Sequence, residues 1–192
     1  MTASRATGFR ATGASASMGS MADVQLAPWA DDDLATLQRS NTPEMTAYLG
    51  GPETEEALVA RHERYLRLWR EGTARMFRIV VDGHPEGVGS IGYWPRDLPG
   101  EEHSLECGFA VETAYQGRGI ATRALLALID DARAQGHRGR LWAYPRVENV
   151  GSNAICQKTG FRLDAQEEFE YPPGNWQTSN NWVYELAEPP RA

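Results

Sequence analysis

Six consecutive residues carry the clearest chemistry in this chain: Gln116-Gly117-Arg118-Gly119-Ile120-Ala121. Before them, Leu105, Cys107, Phe109 and Val111 alternate with Glu106, Gly108 and Ala110, the two-residue period of a strand. After them, Ala121, Leu125, Leu128, Ile129 and Ala132 recur at helical spacing. A glycine-rich turn opening a helix presents unpaired backbone N–H groups and the positive end of the helix dipole, which together bind phosphate. Glycine suits this turn because a side chain would hold the phosphate off the backbone. Two nucleotide-binding patterns fit poorly. A P-loop requires Lys-Ser/Thr after its second glycine, and none follows. A dinucleotide fingerprint requires a third glycine near Thr122 and an acid closing the next strand, whereas Asp130 and Asp131 fall inside the helix. Two readings are left, a pyrophosphate cradle of another kind and a plain strand–turn–helix with a convenient glycine.

One strand and one turn further on comes Asn149-Val150-Gly151-Ser152-Asn153-Ala154-Ile155-Cys156-Gln157-Lys158-Thr159-Gly160-Phe161. Ser152 or Asn149 can cap a short helix here, Gly160 can end it, and Phe161 begins a strand. Gln116, Gly119 and Ala121 hold the defining positions of the pattern Gln/Arg-x-x-Gly-x-Gly/Ala. Together the two stretches, spanning about 104–161, resemble the signatures of the GCN5-related N-acetyltransferases (GNAT). The form Ser-Asn-Ala-Ile-x-x-Lys-x-Gly-Phe looks closer to the branch of ribosomal-protein N-terminal acetyltransferases than to the Tyr-containing form.

The resemblance implies an α/β fold of the α+β kind: a mixed, mostly antiparallel, twisted sheet flanked by helices, with a splayed central strand pair. It implies acetyl-CoA as donor, no metal, and an amine acceptor: a protein N-terminus, an antibiotic amine, a polyamine or an amino-acid-like metabolite. Gln116, Gly117, Arg118, Gly119, Ile120 and Ala121 would hold the pyrophosphate, although an exposed Arg118 on a solvated face is an equal reading. Phe109, Ala110 and Val111 would receive the pantetheine arm, with the Val111 N–H polarising the thioester carbonyl. Asn149 and Asn153 would hydrogen-bond the pantetheine, helix capping and helix-surface polarity being their ordinary roles. Glu106 is the candidate general base; the alternative is a structural ion pair, since an acid in an apolar strand is costly unless exposed or paired. His103 and Glu102 are substitutes for it. Many relatives place a general-acid Tyr where this chain has Cys156, a thiol more often found in a core. Tyr144 and Ser152 are the nearby hydroxyls. A covalent acetyl-cysteine route through Cys107 or Cys156 lacks a partnered His. Tyr48, Leu49 and the Gly50-Gly51 turn are acceptor-side candidates, as are Trp176 and Trp182, with core packing as the competing role. The alternative function is a non-catalytic acyl-CoA-binding or sensing module.

The elements that must position these groups read in order. After a leader over 1–20, rich in Ala, Ser, Thr and Gly, a single domain is expected over 21–192. Val24 to Leu26 suit a strand, Asp31 or Asp32 can cap a helix to about Arg39, and Glu44 to Leu49 suit a further helical turn. Thr54 to Glu71 form a helix with Leu58, Tyr65, Leu66 and Trp69 as its apolar stripe. Met76–Val81, Gly87–Trp94, Leu141–Tyr144, Phe161–Phe169 and Asn181–Leu186 complete the strands. The formal net charge of −7 argues against nucleic acid as a bulk partner and agrees with an amine acceptor. Two cysteines without metal or redox spacing suit free thiols in a reducing cytoplasm. No apolar run is long enough for a membrane span. Dimers are common among relatives, which leaves a homodimer as an open expectation.

Overall fold

The computed structural model describes residues 23–101, 103–170 and 173–187; the expected leader lies outside them. β1 (Val24–Pro28), β2 (Arg75–Val81), β3 (Gly89–Pro95) and β4 (Leu105–Val111) run as an antiparallel meander. The helix α3 (Ile120–Ala134) crosses over from β4 to the parallel strand β5 (Arg140–Ala143). Beyond α4 (Val150–Lys158), β6 (Arg162–Glu170) and β7 (Trp176–Glu185) form a hairpin. The sheet order is β1-β2-β3-β4-β5-β7-β6. The expected mixed, mostly antiparallel sheet with flanking helices is what the chain forms.

The pleat of β4 and β5 sorts the side chains into two layers. Leu105, Cys107, Val111, Leu141 and Ala143 join Ala124, Leu125, Leu128 and Ile129 of α3 in the main core. Truncating any of these leucines to Ala would cost about 2–5 kcal/mol. On the opposite face, α1 (Leu34–Ser40) and α2 (Glu55–Glu71) pack on β3 and β2, around Trp29, Leu37, Leu58 and Met76. Thr54 caps α2 by accepting from the Ala57 N–H, and Gly72 ends it in the left-handed region at φ 67°. Within this face Trp29 Nε1 donates to Nδ1 of the buried His62 at 3.1 Å.

Three expectations change. Glu44 to Leu49 is a run of turns rather than helix. Its neck is closed by Asn41, whose side chain exchanges two 2.9 Å bonds with the Glu53 backbone, and its exit passes through Gly50 and Gly51 at φ 93° and 96°. The helix before it starts with a 3₁₀ turn, Asp31–Asp33, where Asp33 accepts from the Ala30 N–H at 2.8 Å. The final strand begins at Trp176 instead of Asn181. The backbone of its polar start is paired on both edges: Ser179 pairs with Glu167 of β6, and the Asn180 N–H donates to the Pro145 carbonyl on the other side.

Candidate active site

β4 and β5 share only two register pairs, Leu105 with Leu141 and Glu106 with Trp142. Beyond Glu106 the strands part, so the edge of β4 facing β5 is left without a strand neighbour. The Glu112 N–H donates to the Val88 carbonyl toward β3. In an antiparallel ladder the backbone alternates, so Val111 and Phe109 turn their N–H and C=O groups to the open edge. The Val111 carbonyl on that edge accepts from Gln116 Nε2 at 2.9 Å. Ala110 is the exception among the three expected donor-side residues, because its position in the ladder turns its backbone toward Ser90.

The open edge leads to the glycine turn. Gly117 and Gly119 have φ 73° and 72°, and a Cβ on Gly117 would meet only open space. Gly119 is the N-cap of α3 and no side chain caps the helix. The first N–H groups of a 15-residue helix therefore face outward, uncapped by the protein's own side chains. Arg118 lies over the Tyr115 ring at 5.6 Å, while Arg123 donates to the Arg118 carbonyl at 3.2 Å. Sequence reading missed Arg123; its signal was the spacing of four from Gly119, which places it on the same helix face. These features fit a diphosphate followed by an extended arm along β4.

Glu106 points to the other face of the sheet. Its carboxylate accepts from Arg96 Nη1 at 2.7 Å, and only 18% of the side chain is exposed. Burial pushes its pKa up; the Arg96 charge and hydrogen bonds from Arg96 and Trp94 pull partly back. Gly108, next on that face, lets the Trp94 indole lie close, since a Cβ there would sit 3.0 Å from Trp94 Cη2. The Arg96 guanidinium also lies 4.5 Å from the Tyr144 ring centre, and Tyr144 stacks with Trp142 at 6.1 Å. Burial pushes the Tyr144 phenol up to about 12. Thus Arg96 brings Glu106 and Tyr144 together, and of the two hydroxyls offered by the sequence Tyr144 is the one beside the acid. A cavity of about 240 Å³ opens beside Arg96, lined also by Trp142, Tyr144 and Asn181 and by the acids Glu101, Asp164, Glu167 and Glu168.

The other expected residues divide. Asn149 caps α4 by accepting from the Ser152 N–H at 3.0 Å. Asn153 donates to the Arg146 and Asn149 carbonyls and accepts from Asn180 and Trp182, which engages all four of its hydrogen-bonding positions. Trp182 is correspondingly buried, whereas Trp176 is 64% exposed at the start of β7 and does not line the cavity. Tyr48 and Leu49 are exposed on the 41–51 loop. That loop bridges the gap between the parting strands: Thr113 Oγ1 donates to Glu44 beyond the end of β4, and Tyr48 OH donates to the Glu148 carbonyl beyond β5. His103 is exposed at φ 64°, and Glu102 lies outside the described residues. Cys107 and Cys156 are both buried in the main core.

The profile of the acetyltransferase (GNAT) domain matches residues 23–162. The ribosomal-protein-serine acetyltransferase of Escherichia coli (strain K12) is 29% identical over 112 residues, 58% of this chain and 60% of that protein. The chain thus spans 60% of the length of this curated relative. The acetyltransferase from Salmonella typhimurium that modifies the N-terminal serine of ribosomal protein L7/L12 superimposes with a TM-score of 0.72 at 21% identity, over 84% of this chain and 94% of that one. The structure of yncA, a putative acetyltransferase from Salmonella typhimurium with its cofactor acetyl-CoA, superimposes with a TM-score of 0.68 at 21% identity, over 90% and 98%. The domain match, covering most of the chain and both the glycine turn and the short-helix motif, shows that the chain belongs to the GNAT acetyltransferase family.

Proposed function

We propose that this protein transfers the acetyl group of acetyl-CoA to a primary amine, with a protein N-terminus as the favoured acceptor. The observation that carries the reading is the open edge of β4, which runs from Glu106 to the uncapped start of α3. In this arrangement the N–H groups between Gln116 and Ala121, with Arg118 and Arg123 beside them, grip the diphosphate. Phe109 and Val111 pair with the pantetheine arm, and Asn149 lies where that arm passes α4. The Val111 N–H polarises the thioester carbonyl. Glu106 takes the proton from the attacking amine as the C–N bond forms, and Tyr144 gives a proton to the thiolate as the C–S bond breaks. Tyr48 and Leu49 border the acceptor on one side and the acid-lined cavity on the other, with Trp176 further out. The acid lining favours a positively charged acceptor, and the naming of relatives for N-terminal serine acetylation favours a peptide over a metabolite.

Calorimetry with acetyl-CoA, then thiol release with a panel of amines and N-terminal peptides, tests the reading. Binding with turnover on peptides is expected. Glu106→Gln should lower kcat roughly ten- to a thousandfold with the acetyl-CoA KM little changed. Binding without turnover on any amine would favour an acyl-CoA sensor, and no binding would end both readings.

A further inference from the structure

We propose that Arg96 is the positioning residue for the base of this reaction: from the wall of the cavity it holds the Glu106 carboxylate charged and fixed on the same guanidinium that lies over the Tyr144 ring. The inference rests on the acetyltransferase reading above. Arg96 makes two contacts at once, Nη1 to Glu106 at 2.7 Å and its guanidinium over Tyr144 at 4.5 Å. It also lines the cavity together with Tyr144. A cation thus sits between the carboxylate that would take a proton and the phenol that would give one.

A tether between loop and strand would be the simpler role, but the tether is already present. The Arg96 N–H donates to the Ser104 carbonyl at 2.8 Å, closing the neck of the connection between β3 and β4. Inside that connection Glu101 accepts from Ser104, Arg140 and Trp142. A largely buried ion pair gains little net stability, because desolvating both charges offsets their attraction. What the pair changes is the charge state of Glu106. Among the described residues, the groups acting on that carboxylate are Arg96 from the connection, Trp94 from β3 and Tyr144 from the exit of β5, while its neighbour Cys107 is turned to the other face. Arg96 is the one cation among the described residues acting on Glu106.

The sign follows. Burial favours the protonated carboxyl, and a neighbouring cation favours the carboxylate. Removing the cation extends the protonated, inactive form to higher pH. Arg96→Ala and Arg96→Gln should therefore move the acid limb of kcat up by about one to three pH units relative to the native enzyme. A limb common to all forms belongs to the acceptor amine. Carboxyl carbon NMR on the free protein, assigned with Glu106→Gln, should show the Glu106 midpoint rising by the same amount. Arg96→Lys, and millimolar guanidinium added to Arg96→Ala, should bring both readouts back toward native values, while the acetyl-CoA affinity stays unchanged throughout. If folded Arg96→Ala and Arg96→Gln leave the midpoint and the limb where they were while the native enzyme turns over, this proposal falls and the acetyltransferase reading stands. If none of the variants folds, the pair is a tether and the proposal also falls. A native protein with no turnover overturns the reading on which both depend.

Discussion

Gln116 Nε2 donates to the Val111 carbonyl at 2.9 Å, which pins the first residue of the glycine turn to the last residue of β4. In the proposed reading, the bond sets where the diphosphate site would begin relative to the edge that would take the pantetheine arm. Gln116→Ala removes it and should weaken acetyl-CoA binding about fivefold, the equivalent of ~1 kcal/mol for one hydrogen bond. Gly119→Asp should do more. Asp tolerates the left-handed conformation better than most residues, so the fold survives. Its charge, however, opposes the diphosphate at the helix start, and affinity should fall about tenfold or more. Calorimetry against a thermal melt of each variant separates the two effects. Unchanged affinity in both variants would move the donor elsewhere.

Strand β4, the glycine turn and α3 were legible because they are local. A two-residue period, two glycines and a helical period in one continuous stretch dictate strand, turn and helix without reference to the rest of the chain. The sequence offered Glu106 and Tyr144 singly, but their grouping around Arg96 was not legible. Arg96 reads as one charge in a polar connection, and only the β3–β4 pairing brings it to Glu106, ten positions away. Tyr144 reaches the same guanidinium through the crossover that makes β4 and β5 parallel. The early part of β7 was hidden for a different reason. Ser179, Asn180 and Asn181 are buried polar residues without the alternation of a strand, and pairing on both edges compensates their main-chain groups. Cys156 was the informative substitution: its place in the core directs attention to another hydroxyl.

Tyr144 should show the behaviour of a proton donor. With its phenol pushed up to about 12, it stays protonated across the working range, and the fall of kcat on its ionisation lies well above ordinary alkaline assay conditions. Tyr144→Phe should lower kcat by about a hundredfold or more if the leaving thiolate depends on it. The acetyl-CoA affinity should stay near native. Pre-steady-state kinetics with a slow acceptor would locate the loss in the chemical step. A variant with native kcat would mean that the thiolate departs without this phenol.

The two thiols should be silent in the folded protein. Burial holds Cys107 well above its usual range and pushes Cys156 up to about 12, so at pH 8 both are thiols rather than thiolates. The thiolate is the reactive form. Iodoacetamide should label neither residue in the native state and both after unfolding in guanidinium. Cys156→Ala should lower the melting temperature while kcat stays close to native. A loss of kcat of about a hundredfold or more in that variant would reinstate a covalent acetyl-cysteine step.

The cavity edge makes a prediction about the acceptor. Asp164, Glu167 and Glu168, all on β6, line the cavity together with Glu101, Trp142 and Tyr144. Glu167 is engaged by Asn181 at 2.9 Å and Asp164 by Arg162 at the same distance, so Glu168 is the variant least tied to folding. Glu168 is exposed, and an exposed charge acts through the screened field more than through one bond. Glu168→Lys should raise KM about three- to tenfold for peptides carrying a second positive charge near the N-terminus, with little effect on uncharged ones. The difference should shrink as salt is raised, because screening removes the repulsion. Initial rates at saturating acetyl-CoA, with both peptide types at two ionic strengths, read this directly. Equal KM values for the two peptide types in native and variant protein would separate the acid edge from the acceptor path, and the amine would then have to enter from the side of Tyr48 and Leu49.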